Sequence, residues 1–302
     1  MRKPFVIATL FALLVANLAA THARAAEPAA CAAPLVERER VTIAVEGSGP
    51  DLVLIPGLSS PRAVWDATAA KLKDDHRLHI VQVRGFGDAA GPNAEGPVLD
   101  PMMHDIAAYI GQCITGAGRP APAIIGHSLG GLTGLMLAAR EPGTVGKLMV
   151  VDSLPFFGML FGPTATVAAV EPQAAAMRTM LAARPNAEAD ERTLQIMSAT
   201  DAGRAQVRAW TATADAKVAA QLMYDDMTTD LRPEIGAIAA PLTVLYPLDA
   251  SAMPGDRVDS LYKGAFAAAK DATLKRIDGS RHFIMLDQPE AFARAVDAFL
   301  AD

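Results

Sequence analysis

From residue 41 onward, short apolar runs alternate with longer stretches whose apolar positions recur at helical spacing. "VTIAVEG" (41–47) and "DLVLIPG" (51–57) predict two strands around a Gly-Ser-Gly-Pro turn. "SPRAVWDATAAKL" (60–72) predicts a helix with proline near its first turn, and "RLHIVQVRG" (77–85) a strand running into the glycine-rich loop "GFGDAAGP". Residues 100–116 place Met102, Ile106, Tyr109, Ile110 and Cys113 on one helical face. "PAIIGH" (122–127) predicts a strand, 129–141 a helix stopped by Pro142-Gly143, and "KLMVVD" (147–152) the next strand. Residues 153–237 carry mostly helical patterns. Alternation then returns with strand "LTVLY", a helix near 256–270, strand "TLKRID" and a helix over 288–301, where Asp287 and Glu290 resemble a capping box.

Strands joined by helical crossovers predict an α/β fold with a mostly parallel, doubly wound sheet. The expected organisation is a core of residues 41–152 and 238–302 with a helical cap inserted at 153–237. Ahead of it, Arg2 and Lys3 precede an apolar run from Phe5 to Ala20 and the small-residue site Ala23-Arg24-Ala25. That pattern predicts a removed export signal over 1–25, a flexible segment over 26–40, and a periplasmic or secreted protein without a stable membrane anchor. "PAAC" before Cys31 lacks the aliphatic residue of a lipoprotein site. The formal net charge of −6 becomes more negative once Arg2, Lys3 and Arg24 are removed, which argues against nucleic acid or anionic membranes as partners. Cys31 and Cys113 either pair in an oxidising compartment or leave Cys113 simply buried; their spacing does not choose.

The chemistry concentrates in "IIGHSLGG", residues 124–131. A serine hydroxyl becomes a nucleophile only when a base takes its proton and the chain around it stands clear. A sharp strand-to-helix turn at Ser128 meets the second need. Gly126 and Gly130 leave room where a Cβ would collide, and the helix that follows aims the Leu129 amide at an oxygen bound above the serine.

With these residues in view, the chain resembles the α/β-hydrolase family over nearly all of residues 41–301 outside the helical insertion. "GHSLGG" is the most specific match. "LIPGLSSPRAVWD" resembles the segment that carries the first oxyanion donor, implying the Leu58 amide, although proline stands at position 56 where many members have histidine. "PLTVLYPLD" resembles the strand that delivers the acid, and "GSRHFIMLDQPEAF" the segment that carries the histidine. The resemblance implies a triad in the order Ser128, Asp249, His282. His282 is preferred over His76, His79 and His104 by placement, and His127 is expected to point away from the serine by strand alternation. For the acid, Asp152 and Asp256 are rivals, because Pro247 replaces a common glycine and the loop after "TVLY" looks short. Asp287 is read as a helix cap.

The reading that follows is a serine hydrolase that opens a carboxylic ester or lactone of an apolar small molecule through an acyl-enzyme. Ser59, Trp210 and Phe156 are candidates for contact with substrate, in a methionine-rich insertion suited to an apolar group. Arg62 and Arg281 are candidates for a substrate carboxylate or for surface roles. No cofactor is expected: neither metal-ligand spacing nor a nucleotide fingerprint is present in the sequence. A lyase or perhydrolase of the same fold, or a ligand binder with little turnover, are the alternatives.

Overall fold

A computed structural model describes residue 31 and residues 33–301; the expected signal at 1–25 lies outside the described residues. Along the chain run β1 (Leu35–Glu37), β2 (Val41–Gly47), β3 (Asp51–Ile55), α1 (Asp66–Leu72), β4 (Arg77–Val83), α2 (Leu99–Tyr109), β5 (Ala123–His127), α3 (Leu129–Arg140) and β6 (Lys147–Val151). Four helices follow with no strand between them: α4 (Val167–Ala182), α5 (Glu191–Met197), α6 (Asp201–Ala212) and α7 (Ala216–Thr228). The chain then returns to the sheet with β7 (Leu242–Leu248), α8 (Gly255–Ala265), β8 (Thr273–Asp278), the short α9 (Ile284–Asp287) and α10 (Pro289–Ala301).

Among the described residues the strands form one sheet in the order β1-β2-β4-β3-β5-β6-β7-β8. The β1–β2 and β2–β4 pairs are antiparallel, and every pair from β4 to β8 is parallel. The central strands read as continuous apolar runs because helices cover both faces. Strand alternation divides them: Leu52, Leu54, Ile125 and Met149 pack with Trp65, Phe292, Val296 and Phe299. Val53, Ile55, Ile124 and Val150 pack on the other side with Met102, Ile106, Leu132 and Leu135.

Two expectations change at the N-terminal edge. Residues 35–37 are not a flexible segment. Leu35 and Val36 pair with Ala44 and Ile43, and Val36 is buried, so the sheet supplies partners that the sequence pattern alone did not reveal. The helix expected over 100–116 ends at Tyr109 and continues as a single π turn, Ile110–Ile114, which carries Cys113 into a disulfide with Cys31 at a Cα–Cα separation of 5.4 Å. The bridge spans 82 residues and fastens the segment ahead of β1 to the core.

The inserted helices attach to the sheet at its carboxyl end. The Asp215 amide donates to Gly85 O just beyond β4, and Phe86 bridges to Ala214. The Leu231 amide donates to Pro155 O, in the segment that leaves β6. The Phe283 amide donates to Met197 O, and the Asp287 carboxylate accepts from Ser198 Oγ and the Ala199 amide. Asp287 also accepts from the Arg281 amide, so it couples the insertion to the segment after β8; its role is this tie and not the capping expected of it.

Candidate active site

At the end of β5 the chain turns sharply into α3, and Ser128 sits at the turn with φ 53 and ψ −123. The glycines on either side are a steric necessity. A Cβ on Gly126 would lie 2.2 Å from the Gly130 carbonyl oxygen, and one on Gly130 would lie 2.2 Å from that of Ile55. Gly126→Ala is therefore expected to cost about 3 kcal/mol and to lower Tm by roughly 5–10 °C in scanning calorimetry. An unchanged Tm would mean that the turn relaxes freely.

Ser59 (φ 55), Ser128 (φ 53) and Asp152 (φ 46) are the non-glycine residues with positive φ among the described residues. They follow β3, β5 and β6, three neighbouring strands, at the same end of the sheet. Each such backbone costs on the order of 1–3 kcal/mol, and clustering of that kind marks sites where geometry is held for a purpose. The loop after β3 passes directly against the turn: a Cβ on Gly57 would come within 3.0 Å of Ser128 Cβ. Neither the Leu58 nor the Leu129 amide donates to a protein acceptor among the described residues, and Leu129 is the first residue of α3, where the amide has no partner within the helix.

His282 follows β8, at the far edge of the sheet, and its loop crosses back toward β5. The Nδ1 atom lies 2.6 Å from Asp152 Oδ2. Asp152 in turn follows β6, and the Ser128 amide donates to Val151 O at 2.9 Å, so nucleophile candidate, carboxylate and imidazole share one backbone junction. The second Asp152 oxygen accepts from the Tyr262 hydroxyl of α8, whose ring stacks on Tyr246 at 4.4 Å. Burial opposes charge on Asp152, but His282 and the Tyr262 hydrogen bond outweigh it and hold the carboxyl below its ordinary range. Burial and the facing Asp152 push the Tyr262 phenol well above its ordinary value, so it stays a donor. With Asp152 ionised, Nδ1 carries the proton and Nε2 is left as an acceptor.

Asp249, the acid expected from the sequence, is bonded elsewhere, and the carboxylate against His282 is that of Asp152. Asp249 Oδ1 accepts from the Ser251 amide and hydroxyl at 2.9 and 2.6 Å, and Oδ2 accepts from Arg281 Nε at 2.7 Å. Those bonds, Ser251 first, hold its carboxyl below the ordinary range without involving His282. The difference is local: the Asp249 carboxylate is taken up by Ser251 and Arg281, whereas Asp152 is left to His282 and Tyr262. Asp256 lies in the first turn of α8 and makes no side-chain bond to His282.

His127 does not point away from the site. Its ring lies 4.7 Å from that of His282, and Nε2 is 3.1 Å from the His282 carbonyl oxygen, to which it donates. Nδ1 is buried without a hydrogen-bond partner. Burial, then the neighbouring His282, push the imidazole down to about 3, so it is neutral in the folded state. The linkage has a definite sign. Between the ordinary value near 6.5 and about 3, the unfolded chain binds a proton that folded His127 refuses. His127 therefore favours folding least at low pH, and stability rises with pH across that window, by a few kcal/mol in total. His127→Gln keeps a donor for the His282 carbonyl and is expected to flatten the slope of urea-unfolding free energy between about pH 4 and 6. An unchanged slope would contradict a neutral buried His127.

Of the candidate substrate contacts, Ser59 is buried in the loop beside the turn, and Trp210 packs on Phe283 at 5.9 Å, next to His282. Phe156 is placed otherwise: it is fully buried beneath the Arg232 guanidinium at 4.5 Å, as a core residue of the insertion. Arg281 is held by Asp249 and the Gln195 carbonyl, and Arg62 by Thr42. Sequence reasoning did not find Tyr262 at all, because a tyrosine on an amphipathic helix carries no chemical spacing signal.

A family model described as the alpha/beta hydrolase family matches residues 52–295. Pimeloyl-[acyl-carrier protein] methyl ester esterase of Vibrio campbellii is 37% identical over 114 residues, 37% of this chain and 40% of that protein. The enzyme of the same name from Nitrosospira multiformis is 33% identical over 122 residues, 39% of this chain and 44% of its own length. The matches thus span about two fifths of these relatives. Among solved structures, the enol-lactonase from Burkholderia xenovorans LB400 superposes with TM-score 0.68 at 20% identity, covering 87% of this chain and 96% of its own. A thermophilic esterase from Thermogutta terrifontis gives 0.73 at 17% identity, covering 89% and 98%. At those identities the structures speak for the fold.

Proposed function

For a chain that belongs to the alpha/beta hydrolase family, we propose that the site around Ser128 is that of a serine hydrolase acting on carboxylic esters or lactones. The observation that carries the reading is the Asp152–His282 pair beside a strained serine turn, with two amides unengaged nearby. His282 Nε2 takes the Ser128 proton as Oγ attacks the carbonyl carbon. The amides of Leu58 and Leu129 hold the oxyanion, and Asp152, fixed by Tyr262, orients His282 and stabilises its cation. His282 then protonates the leaving oxygen, and a water activated by the same imidazole releases the acid. No hydrogen bond of 3.5 Å or less joins Ser128 Oγ to His282 in this structure; such contacts commonly tighten only when substrate is in place.

The inserted helices are the cap of this site, because their ties to the segments after β4, β6 and β8 hold them at the carboxyl end of the sheet. The Cys31–Cys113 bridge supports an oxidising compartment, in keeping with export of the chain. The ester and lactone classes are also those named for the relatives and for the Burkholderia structure. The test is pH-stat titration of acid released from short- and medium-chain methyl esters and simple lactones. Catalytic release, many equivalents per protein, is expected; binding without acid release would contradict the reading.

A further inference from the structure

His282 stands in the segment after β8, at the far edge of the sheet from β5, and most of what holds that segment lies away from Ser128. The Gly279 amide donates to Leu248 O at the end of β7 at 2.8 Å, and the Phe283 amide to Met197 O of the insertion at 2.9 Å. The Arg281 amide donates to the Asp287 carboxylate at 2.9 Å. Among the described residues, one hydrogen bond ties the segment to the strand that leads into the serine. His127, the last residue of β5, donates from Nε2 to the His282 carbonyl oxygen at 3.1 Å. The His282 ring is held separately, through Nδ1, by Asp152 at 2.6 Å. Ring and backbone of the base are thus fixed by two different residues.

His127 is suited to this bond. A carbonyl oxygen only accepts, so the imidazole carries its hydrogen on Nε2, and Nδ1 is bare and buried without a hydrogen-bond partner. Nδ1 abuts the loop after β3, where a Cβ on Gly57 would lie 2.9 Å from it and 3.0 Å from Ser128 Cβ. The ring packs at 4.7 Å against those of both His282 and Phe283. Burial keeps His127 neutral, and neutrality matters here. A lysine or arginine could donate to the same carbonyl, but its charge would oppose the imidazolium that forms on His282.

We propose that His127 is a positioning residue for the base: its bond to the His282 carbonyl holds that backbone where proton transfer from Ser128 needs it. This rests on the ester-hydrolase reading above and deepens it, by naming what sets the base against the nucleophile. Misplacing reacting groups by about 1 Å costs on the order of a hundredfold in rate. The effect therefore belongs in kcat and not in KM.

The test compares His127→Gln with His127→Met on methyl butanoate and methyl octanoate. Both variants lose the ring and are similar in length, but only glutamine keeps a donor near the place of Nε2. The kcat of the methionine variant is expected to fall about 30- to 100-fold below that of the glutamine variant, with KM within about threefold between them. In a His282→Ala background the two should react with a fluorophosphonate at equal rates, because a residue that acts through His282 has nothing left to act on. A merely structural role would not show that equality. Equal kcat in the two variants, a difference confined to KM, or a difference that persists in His282→Ala would overturn the assignment and leave the hydrolase reading intact. Failure of the wild type to release acid from either ester would instead remove that reading, and this inference with it. If the methionine variant does not fold, NMR of the nitrogen-labelled wild type decides. His127, assigned through its backbone connection to Ser128, supports the assignment as the neutral Nε2–H tautomer; a hydrogen on Nδ1 overturns it.

Discussion

Asp152→Asn is expected to lower kcat about 10⁴-fold toward an ester that the wild type hydrolyses, with the fold retained. The amide would still accept from Tyr262 and still sit against His282, but it cannot stabilise an imidazolium, and it presents a donor or a weaker acceptor to Nδ1. The tautomer with Nε2 free is then no longer favoured. Asp249→Asn is the matched control. It loses a partly exposed ion pair with Arg281, worth about 0–1 kcal/mol, and kcat should stay within about threefold of wild type. Steady-state kinetics of the two variants side by side check the assignment; a larger loss in Asp249→Asn than in Asp152→Asn would reverse it.

Ser128→Ala carries the largest expected loss, about 10⁶-fold in kcat, leaving the residual rate that oxyanion donors and binding alone supply. Stability should change little. The backbone bonds at this position, from the Ser128 amide to Val151 O and from Gly131 and Leu132 to Ser128 O, do not use the hydroxyl, and alanine meets the same positive φ that serine does. Because nucleophile, base and acid act as a unit, Ser128→Ala with Asp152→Asn should be no slower than Ser128→Ala alone. Circular dichroism and single-turnover assays check both halves. An additive loss in the double variant would mean that Asp152 serves some step independent of Ser128.

The parts of this site that were legible in the sequence are those written in local chain geometry. Gly126, Ser128 and Gly130 announce a sharp turn, and a Cβ at either glycine would collide with a neighbouring carbonyl. The alternation of apolar runs likewise gave the parallel sheet, since burial on both faces leaves a direct mark on composition. What was not legible depends on which strands become neighbours. Asp152 and Asp249 both follow apolar strands, and what separates them is which long-range partner each carboxylate meets, Arg281 for Asp249 and His282 with Tyr262 for Asp152. Tyr262 joins the site only because α8 returns across β7 to face Asp152. Cys113 of the Cys31–Cys113 bridge lies in a π turn, in a stretch that reads as regular helix, and no periodicity encodes that. His127 illustrates a subtler failure. Strand alternation assigns a side but says nothing about a loop from the sheet edge crossing over to meet it.

The same neighbour relation explains how the elements divide the work. α3 and the loop after β3 present unengaged amides, β6 and α8 supply a carboxylate locked by a phenol, and β8 delivers the imidazole. The inserted helices are tied to the segments after β4, β6 and β8 through backbone and side-chain bonds, and Met197, Ser198 and Asp287 link them to the segment that carries His282.

The most direct test of the central claim is covalent labelling with a fluorophosphonate, followed by peptide mass spectrometry. One adduct per chain on Ser128 is expected in the wild type, with strongly slowed labelling in His282→Ala and Asp152→Asn and wild-type labelling in Asp249→Asn. Labelling at another residue, or none in protein shown to be folded, would contradict an activated serine at the end of β5.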